Sequence, residues 1–221
     1  MSGALAIAVF ARAPVPGAAK TRLIPRLGPD GAARLQTQLI DLALARARMA
    51  APDATHLWLA GKCTGGAISE DVAIHAQIGD DLGARMAQAF GTLLPRHDKV
   101  LLIGTDCPAQ TVDDLHRAAH ALHSHEVVLQ PADDGGYVLV GLSQRVLRQT
   151  PPRWRGLFAG VAWGTGAVLA QTQARLVALA LRAALLDTRP DLDLPEDYDR
   201  AVREGWIAPC PADGLPARAP P

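Results

Sequence analysis

Residues 100–108 read Val-Leu-Leu-Ile-Gly-Thr-Asp-Cys-Pro, and this stretch decides the fold. Its first five residues are apolar without alternation, which is typical of a strand buried on both faces of a parallel sheet. The strand ends at a polar turn that carries Asp106 and is closed by Pro108. Ligands of parallel α/β sheets bind beyond the carboxyl ends of strands, so Asp106 lies where a ligand site is expected.

Strand and helix patterns alternate along the rest of the chain. Apolar or β-rich segments predict strands at 5–10, 55–60, 72–78, 100–104, 127–130, 137–142 and 183–186. Helical spacing predicts helices at 30–49, 81–94, 111–123, 168–182 and 196–204, with a capping box of Thr111 and Asp114 and with Pro195 opening the last helix. This alternation predicts a three-layer α/β/α fold with a mostly parallel sheet.

Length and composition favour one domain over residues 1–207, because single cores grow to about 200–250 residues. Apolar residues make up 49% of the chain and charged residues 20%, which excludes disorder as the dominant state. Residues 209–221 contain five prolines and no apolar periodicity, so residues 208–221 are predicted to be a disordered tail.

Charge and targeting signals exclude several classes of partner. The net charge is zero, from 22 basic and 22 acidic residues, which argues against nucleic acid as a partner. No apolar stretch reaches the ~18–20 residues of a membrane span, and no signal peptide is evident. The three cysteines lack the short spacing of a disulfide framework or zinc site, so we expect a cytoplasmic protein. A homodimer is left open.

The neutral total hides an uneven distribution of charge. Residues 1–29 carry four basic side chains and no carboxylate, namely Arg12, Lys20, Arg22 and Arg26. Residues 187–199 carry six acids against Arg189, namely Asp187, Asp191, Asp193, Glu196, Asp197 and Asp199. The acids at the start of the last helix fit the helix dipole, whereas Asp191 or Asp193 could bind a metal ion.

The loop after the first strand, residues 10–23, reads FARAPVPGAAKTRL. Its small residues allow a ligand to approach the backbone, and its basic side chains can neutralise phosphate oxygens. It is not a Walker A loop, because the first glycine is missing and none directly precedes the lysine. A solvated surface loop is the alternative, but no nearby acid pairs these charges, so we favour anion binding.

Two turns carry further candidate groups. Asp106 could hold a divalent metal that bridges phosphates, or could simply close an Asx turn before Pro108. Cys107 beside it is better explained as a small buried side chain than as a nucleophile. Residues 131–137, PADDGGY, suit either close approach of a substrate or a plain hairpin turn.

Two groups of ring side chains have simpler explanations. The histidines His116, His120 and His123 could bind zinc, but an exposed helix face is the better interpretation. Trp154 and Trp163 could stack on a sugar or base, and packing in the core or in a lid is at least as well supported.

Taken in order, several motifs resemble one bacterial family. They are FARAPVPG (10–17) with KTRL (20–23), DLGARM (81–86), GTDCP (104–108), DDGGY (133–137), LFAGVAWGT (157–165) and DLDLPED (191–197). This order is similar to that of glycosyltransferases named radical-SAM/selenodomain-associated or arsenosugar-biosynthesis transferases. They belong to the nucleotide-diphospho-sugar transferase (GT-A) superfamily. The resemblance covers about residues 4–204, and its specificity lies in the order of the motifs.

The resemblance implies a GT-A fold, a nucleotide-sugar donor, a small acceptor and Mg²⁺ or Mn²⁺. The metal would be held by Asp106 with Asp193 (or Asp191), and Asp106 and Asp134 would be the catalytic carboxylates. The base would meet the backbone around residues 8–11 and the turn at 82–83, and Lys20 and Arg22 would meet the diphosphate. The implied binding residues are Ala8, Phe10, Ala11, Arg12, Lys20, Arg22, Leu82, Gly83, Arg85, Thr105, Gly135 and Gly136.

The sequence departs from that family at three positions. Ala159 and Gly164 stand where a carboxylate and a serine are expected, and Leu194 replaces a threonine whose N-cap hydroxyl is worth ~1 kcal/mol. Two alternatives to glycosyl transfer stay open, and only the second of them rests on Ala159 and Gly164. One is a nucleotidyltransferase that releases pyrophosphate from a nucleoside triphosphate, and the other is a catalytically impaired nucleotide-binding protein.

Overall fold

The computed structural model describes residues 5–62, 72–148 and 153–210, and contains one seven-stranded sheet in the order β3-β2-β1-β4-β6-β5-β7. Six strands run in one direction, and β6 is antiparallel to its neighbours β4 and β5. The strands are β1 (Leu5–Arg12), β2 (Thr55–Ala60), β3 (Ala73–Ala76), β4 (Lys99–Gly104), β5 (Val127–Pro131), β6 (Tyr137–Ser143) and β7 (Ala183–Leu185).

Helices cover both faces of the sheet, because alternate residues of its strands are apolar on both sides. The helices are α1 (Ile24–Ala50), α2 (Leu82–Leu93), α3 (Val112–Ala121), α4 (Val168–Ala178) and α5 (Pro195–Arg203). In β1, Ile7 and Val9 pack beneath α1 and α3, whereas Ala8 and Phe10 face α2 and α4. The predicted three-layer α/β/α class with a mostly parallel mixed sheet is therefore confirmed.

The last helix, α5, packs on the first part of α1 instead of on the sheet. Tyr198 and Ala201 of α5 share a buried cluster with Leu27, Leu35 and the preceding Leu192. The segment between β7 and α5 is thereby drawn across the carboxyl ends of the strands. This position brings its acidic residues to the candidate site.

Several predicted boundaries differ from the structure where a turn has no apolar period. The first helix begins at Ile24 rather than residue 30, and a break at Gly28 (φ 73°, ψ 168°) separates its first turn from the rest. The fourth helix ends at Ala178 rather than residue 182, and Ala180 (φ 51°) then reverses the chain. Among the described residues, three short 3-10 turns have no counterpart among the predictions, namely Thr21–Leu23, Gln144–Arg148 and Trp154–Phe158.

Two predicted helix starts, those of α3 and α5, are confirmed. The Asp114 N–H donates to the Thr111 hydroxyl (3.2 Å) and the Thr111 N–H donates to the Asp114 carboxylate (2.9 Å), which is the capping box expected for α3. Pro195 is the first residue of α5. Within the described ranges, every helix is too short or too polar to cross a lipid bilayer.

The described chain ends just after α5. Cys210 is held there, since its N–H donates to the Tyr198 hydroxyl (2.8 Å). Most of the predicted tail, residues 211–221, lies outside the described residues, as does Cys63.

Candidate active site

A cleft of about 590 Å³ opens at the carboxyl ends of the central strands. β1 and β4 are parallel neighbours with Phe10 opposite Gly104, so the loops that follow them start side by side. The loop after β1 contributes basic side chains, the turn after β4 contributes Asp106, and the segment before α5 contributes Asp191 and Asp193. The two ends of the charge distribution seen in the sequence therefore meet in one cleft.

Lys20 lies at the centre of this charged region. Its ammonium nitrogen is 2.9 Å from Asp106 Oδ1 and 3.7 Å from Asp193 Oδ1, and it also donates to the carbonyl of Leu192. Its side chain is only 7% exposed, whereas those of Asp106 and Asp193 are 51% and 37% exposed. Both carboxylates are therefore held within reach of one cation and keep a face open to the cleft.

The basic loop is held by local contacts and by one buried glutamine. Lys20 adopts a left-handed backbone conformation (φ 45°), which is uncommon for a residue with a side chain. Gln36 of α1 donates to the carbonyl of Arg12 (3.2 Å) and to the Thr105 hydroxyl (3.4 Å). One amide thus links the loop after β1 to the turn after β4.

A side chain of α1 holds the turn that carries Asp106. Arg46 of α1 donates to the carbonyls of Cys107 (3.4 Å) and Pro108 (2.7 Å). Burial is the main reason that the pKa of the Cys107 thiol is raised to about 12, so this thiol is protonated at neutral pH. It packs with Ala132 and Val138, as the sequence predicts for a small buried side chain.

Asp191 and Asp134 add two further carboxylates to the cleft wall. Burial, followed by the charge of Asp134, raises the pKa of Asp191 to about 6. Asp134 accepts the N–H of Gly136 (2.8 Å), which closes a turn and still leaves its carboxylate exposed. Four carboxylates and four basic side chains therefore line the cleft.

The donor set fits a hard divalent cation that is completed by phosphate oxygens. Mg²⁺ and Mn²⁺ sites in nucleotide enzymes commonly use one or two carboxylates together with phosphates. Asp106 and Asp193 supply such a pair. Among residues 5–62, 72–148 and 153–210, no group of three or more His, Cys, Asp or Glu side chains is arranged to hold a metal without a substrate.

Nine of the twelve implied binding residues line the cleft, and the other three do not. The nine are Phe10, Ala11, Arg12, Lys20, Arg22, Leu82, Arg85, Thr105 and Gly136. Ala8 is fully buried in the core. Gly83 lies against the Phe158 carbonyl, which a Cβ at this position would approach to 2.3 Å. Gly135 (φ 86°) lies equally close to the Gly166 carbonyl, so its lack of a side chain serves packing.

Two glutamines of the cleft wall were not found from the sequence. Gln36 interrupts the apolar stripe of α1, and Gln77 follows the edge strand β3. The Gln77 amide donates to the carbonyls of Ala11 (3.0 Å) and Trp58 (2.9 Å), and so links β1 to β2. In the sequence, a glutamine at a position where the helical period calls for an apolar residue is the signal that could have identified Gln36.

The remaining motifs separate into cleft and packing residues. Trp163 lines the cleft and meets Tyr137 edge-on (6.4 Å between ring centroids), whereas Trp154 packs in the core against Phe90. Ala159 is exposed and is not one of the residues that line the cleft, whereas Gly164 (φ 78°) is one of them. The three histidines, His116, His120 and His123, are exposed, as predicted for a helix face.

Leu194, at the N-cap of α5, has no hydroxyl, and the segment keeps the other half of a capping box through Asp197. Leu194 makes no side-chain cap, but the Asp197 carboxylate accepts the N–H groups of Asp193 (3.2 Å) and Leu194 (2.9 Å). The backbone of the acidic segment is therefore hydrogen-bonded at the start of α5.

Comparison with solved structures identifies proteins of the same fold. A protein of Desulfovibrio desulfuricans G20, provisionally described as a nucleotide-diphospho-sugar transferase, is 26% identical with a TM-score of 0.81, over 92% of this chain and 88% of that one. A nucleotidyl transferase of Methanothermobacter thermautotrophicus is 16% identical (TM-score 0.59, 92% and 97% covered). Rv0371c of Mycobacterium tuberculosis H37Rv, in complex with manganese, is 20% identical (TM-score 0.54, 90% and 98% covered).

The sequence comparisons identify one family. No curated protein matches the chain. One family profile matches residues 32–165, which is more than half of the chain and includes the turn that carries Asp106. The chain therefore belongs to the DUF2064 family, described as an uncharacterized protein conserved in bacteria.

Proposed function

We propose that this chain transfers a sugar from a nucleotide-diphospho-sugar to a small acceptor, with a divalent metal ion bound at Asp106. The observation that carries the proposal is the contact of the Lys20 ammonium with both Asp106 and Asp193. A cation that would bind phosphate and two carboxylates that would bind the metal ion thus meet in a cleft of about 590 Å³, a size that suits a nucleotide.

The basic side chains would bind the diphosphate. Arg12, Lys20 and Arg22 lie on the loop after β1, and Arg22 also contacts Asp193 (3.0 Å). Such groups stabilise the negative charge that develops as the diphosphate leaves, and they act most strongly where water is excluded. Lys20 is the best placed for this task because its side chain is almost fully buried.

Asp106 and Asp193 would hold Mg²⁺ or Mn²⁺, with Asp191 as an alternative to Asp193. When bound, the ion would add positive charge against the leaving phosphates. The carboxylates would orient it, and Arg46 would keep Asp106 in place through the carbonyls of Cys107 and Pro108.

The nucleoside and the sugar would occupy opposite ends of the cleft. Phe10, Ala11, Leu82 and Arg85 form the end next to β1 and α2, where the base would bind. Asp134 lies at the other end, in the turn between β5 and β6, where it would face the transferred group. Its exposed carboxylate is available to interact with an acceptor.

The comparisons support a transferase of this general kind. The Desulfovibrio desulfuricans protein matches over nearly all of both chains, and its description names a nucleotide-diphospho-sugar transferase. The association with radical-SAM or arsenosugar chemistry implied by the resembled family stays a prediction about the acceptor.

Nucleotidyl transfer is the second candidate. The fold is shared with the nucleotidyl transferase of Methanothermobacter thermautotrophicus, and three basic side chains along the loop could also meet a triphosphate. A screen for pyrophosphate release from each nucleoside triphosphate separates the two reactions. A catalytically impaired protein would bind nucleotide and turn over neither substrate, and Ala159→Glu would then restore transfer.

Calorimetry with UDP and GDP, with and without Mn²⁺, tests the proposal. Wild-type protein should bind at least one nucleotide more tightly with Mn²⁺ than without it, and Asp106→Asn should abolish that gain. Asp53→Asn, at an exposed aspartate after α1, is the matched control and should behave as wild type. The proposal fails if neither nucleotide binds, or if Mn²⁺ has the same effect on Asp106→Asn as on wild type.

A further inference from the structure

We infer that Arg189 is a positioning residue whose buried ion pair with Asp114 holds the acidic segment 191–193 at the cleft. This inference rests on the proposed function, because it concerns the carboxylates assigned there to the metal ion. Its structural part, the placement of the segment, can be tested separately.

Asp114 is the anchor of this contact. It lies in the first turn of α3, its side chain is 0% exposed, and it is distant in sequence from the segment it binds. Arg189 Nε donates to its Oδ2 (3.1 Å) and Arg189 Nη2 to its Oδ1 (2.8 Å). This paired geometry fixes direction as well as distance, which a lysine could not do.

The backbone of Arg189 makes the second attachment. Its N–H donates to the Pro131 carbonyl (3.0 Å), next to an isolated bridge with Ala132. Ala132 leads directly into the turn that carries Asp134. Arg189 thereby joins the acidic segment both to α3 and to the turn between β5 and β6.

Only two residues separate this anchor from a second one. Leu192 is 1% exposed, and its N–H donates to the Asp106 carbonyl (2.7 Å). Asp191 and Asp193 flank Leu192, so anchors on both sides of Asp191 decide where these carboxylates point. Loss of the Arg189 anchor would leave Leu192 as the main tie between the segment and the turn after β4.

Arg117 provides an internal comparison, because it contacts the same carboxylate from a different element. Its Nη2 donates to Asp114 Oδ1 (2.6 Å), and it also pairs with the exposed Asp113 and Asp187. Arg117 belongs to α3 itself, so its removal leaves both bonds from Arg189 to Asp114 in place. Truncating either arginine disturbs the same buried charge. Arg117 connects that charge to Asp187, directly after β7, whereas Arg189 lies two residues before Asp191 and connects it to the segment 191–193.

The test compares Arg189→Met with Arg117→Met in the full chain by two measurements. Mn²⁺ affinity in the presence of UDP or GDP, followed by electron paramagnetic resonance, should fall ~10–100-fold in Arg189→Met, the range seen when groups that orient metal ligands are removed. It should change less than about threefold in Arg117→Met, whose charge lies outside the segment. Amide exchange at Leu192 should accelerate at least ~10-fold in Arg189→Met alone, because local opening exposes that hydrogen bond.

Each outcome supports or overturns the inference. Equal Mn²⁺ affinity and equal Leu192 exchange in the two variants would overturn it, because a general loss of stability would then explain both. If wild-type protein binds no Mn²⁺ in the presence of UDP or GDP, the metal site of the proposed function fails, and exchange at Leu192 still decides the positioning role. If Arg189→Met does not fold, Arg189→Lys takes its place, and wild-type exchange at Leu192 in that variant would overturn the inference.

Discussion

Lys20 is expected to influence both metal binding and nucleotide binding. It is bound by two carboxylates that are also the proposed metal ligands, so cation and metal compete for the same oxygens when no nucleotide is present. Once a diphosphate binds, its negative charge gives the ammonium another partner. Lys20 should therefore weaken metal binding in the free protein and strengthen nucleotide binding.

Lys20→Met should accordingly change two affinities in opposite directions. Mn²⁺ should bind the free variant more tightly than wild type, and UDP or GDP should bind it ~10–100-fold more weakly, as expected for loss of a charge-assisted hydrogen bond. Resonance titration and calorimetry measure the two affinities. Lys62→Met, at an exposed lysine after β2, is the control. Weaker Mn²⁺ binding by free Lys20→Met would contradict the competition.

Cys107 is next to the proposed metal ligand but should be chemically inert. Burial raises the pKa of its thiol to about 12, so the reactive thiolate is scarce at pH 8. Iodoacetamide should leave Cys107 unmodified in the folded protein and label it after denaturation, as measured by peptide mass spectrometry. Rapid labelling of the folded protein at Cys107 would mean that the thiol is ionised or exposed.

Among the elements, α3 depends on a carboxylate with an unusual pKa. Burial alone would raise the pKa of Asp114, but hydrogen bonds from Arg189, Thr111 and Arg117 lower it to about 2. A lowered pKa stabilises the fold above the ordinary value near 4, and this contribution is lost as pH falls through about 2.

Asp114→Asn should lower the free energy of unfolding at pH 7 by about 2–5 kcal/mol, because it removes that contribution and leaves Arg189 without its anion. The difference from wild type should shrink between pH 4 and pH 2 in denaturant titrations. Asp113→Asn, on the exposed side of the same turn, should cost less than about 0.5 kcal/mol. A pH-independent difference would show that the charge of Asp114 is not the cause.

Two glycines of α2 differ in how closely the surrounding atoms are packed. A Cβ at Gly83 would meet the Phe158 backbone carbonyl at 2.3 Å, whereas one at Gly91 would meet only the movable end of Arg155 at 2.7 Å. Gly83→Ala should destabilise the protein by about 1–3 kcal/mol, and Gly91→Ala should be neutral or stabilising by up to ~1 kcal/mol. Thermal unfolding checks both. Equal stability of the two variants would contradict the close packing at Gly83.

Elements with a strong period could be predicted from the sequence, and turns could not. Residues 55–60 form a strand with the predicted bounds, and the capping box of Thr111 and Asp114 starts α3 as expected. The break at Gly28 and the reversal at Ala180 depend on single backbone conformations that leave no apolar pattern. Tertiary contacts, rather than local preference, decide where these helices begin and end.

The candidate site, like the fold, could be predicted from the sequence in part. The sequence predicts that the loop after β1, Asp106 and the acidic segment meet, because parallel strands end at the same edge of a sheet. In the structure these three parts line one cleft. The glycines were harder to interpret, since Gly83 and Gly135 allow close packing as readily as ligand contact. Gln36 and Gln77 carry no motif at all, and only their three-dimensional position shows that they connect the cleft walls.

At the scale of the whole molecule, a net charge of zero conceals a charge separation the size of a ligand. Basic side chains from one end of the chain and carboxylates from the other meet across the carboxyl edge of the sheet. α5 makes this possible, because it packs on α1 and draws the acidic segment back over the first strand's loop. The cleft is therefore a product of the fold and not of any single motif.

The most direct test of the central claim is a crystal structure of the protein with Mn²⁺ and UDP or GDP, phased on the manganese signal. The account predicts one manganese bound by the Asp106 carboxylate, with the diphosphate beside it and in contact with Lys20. Nucleotide bound elsewhere, or manganese without contact to Asp106 and the diphosphate, would contradict it.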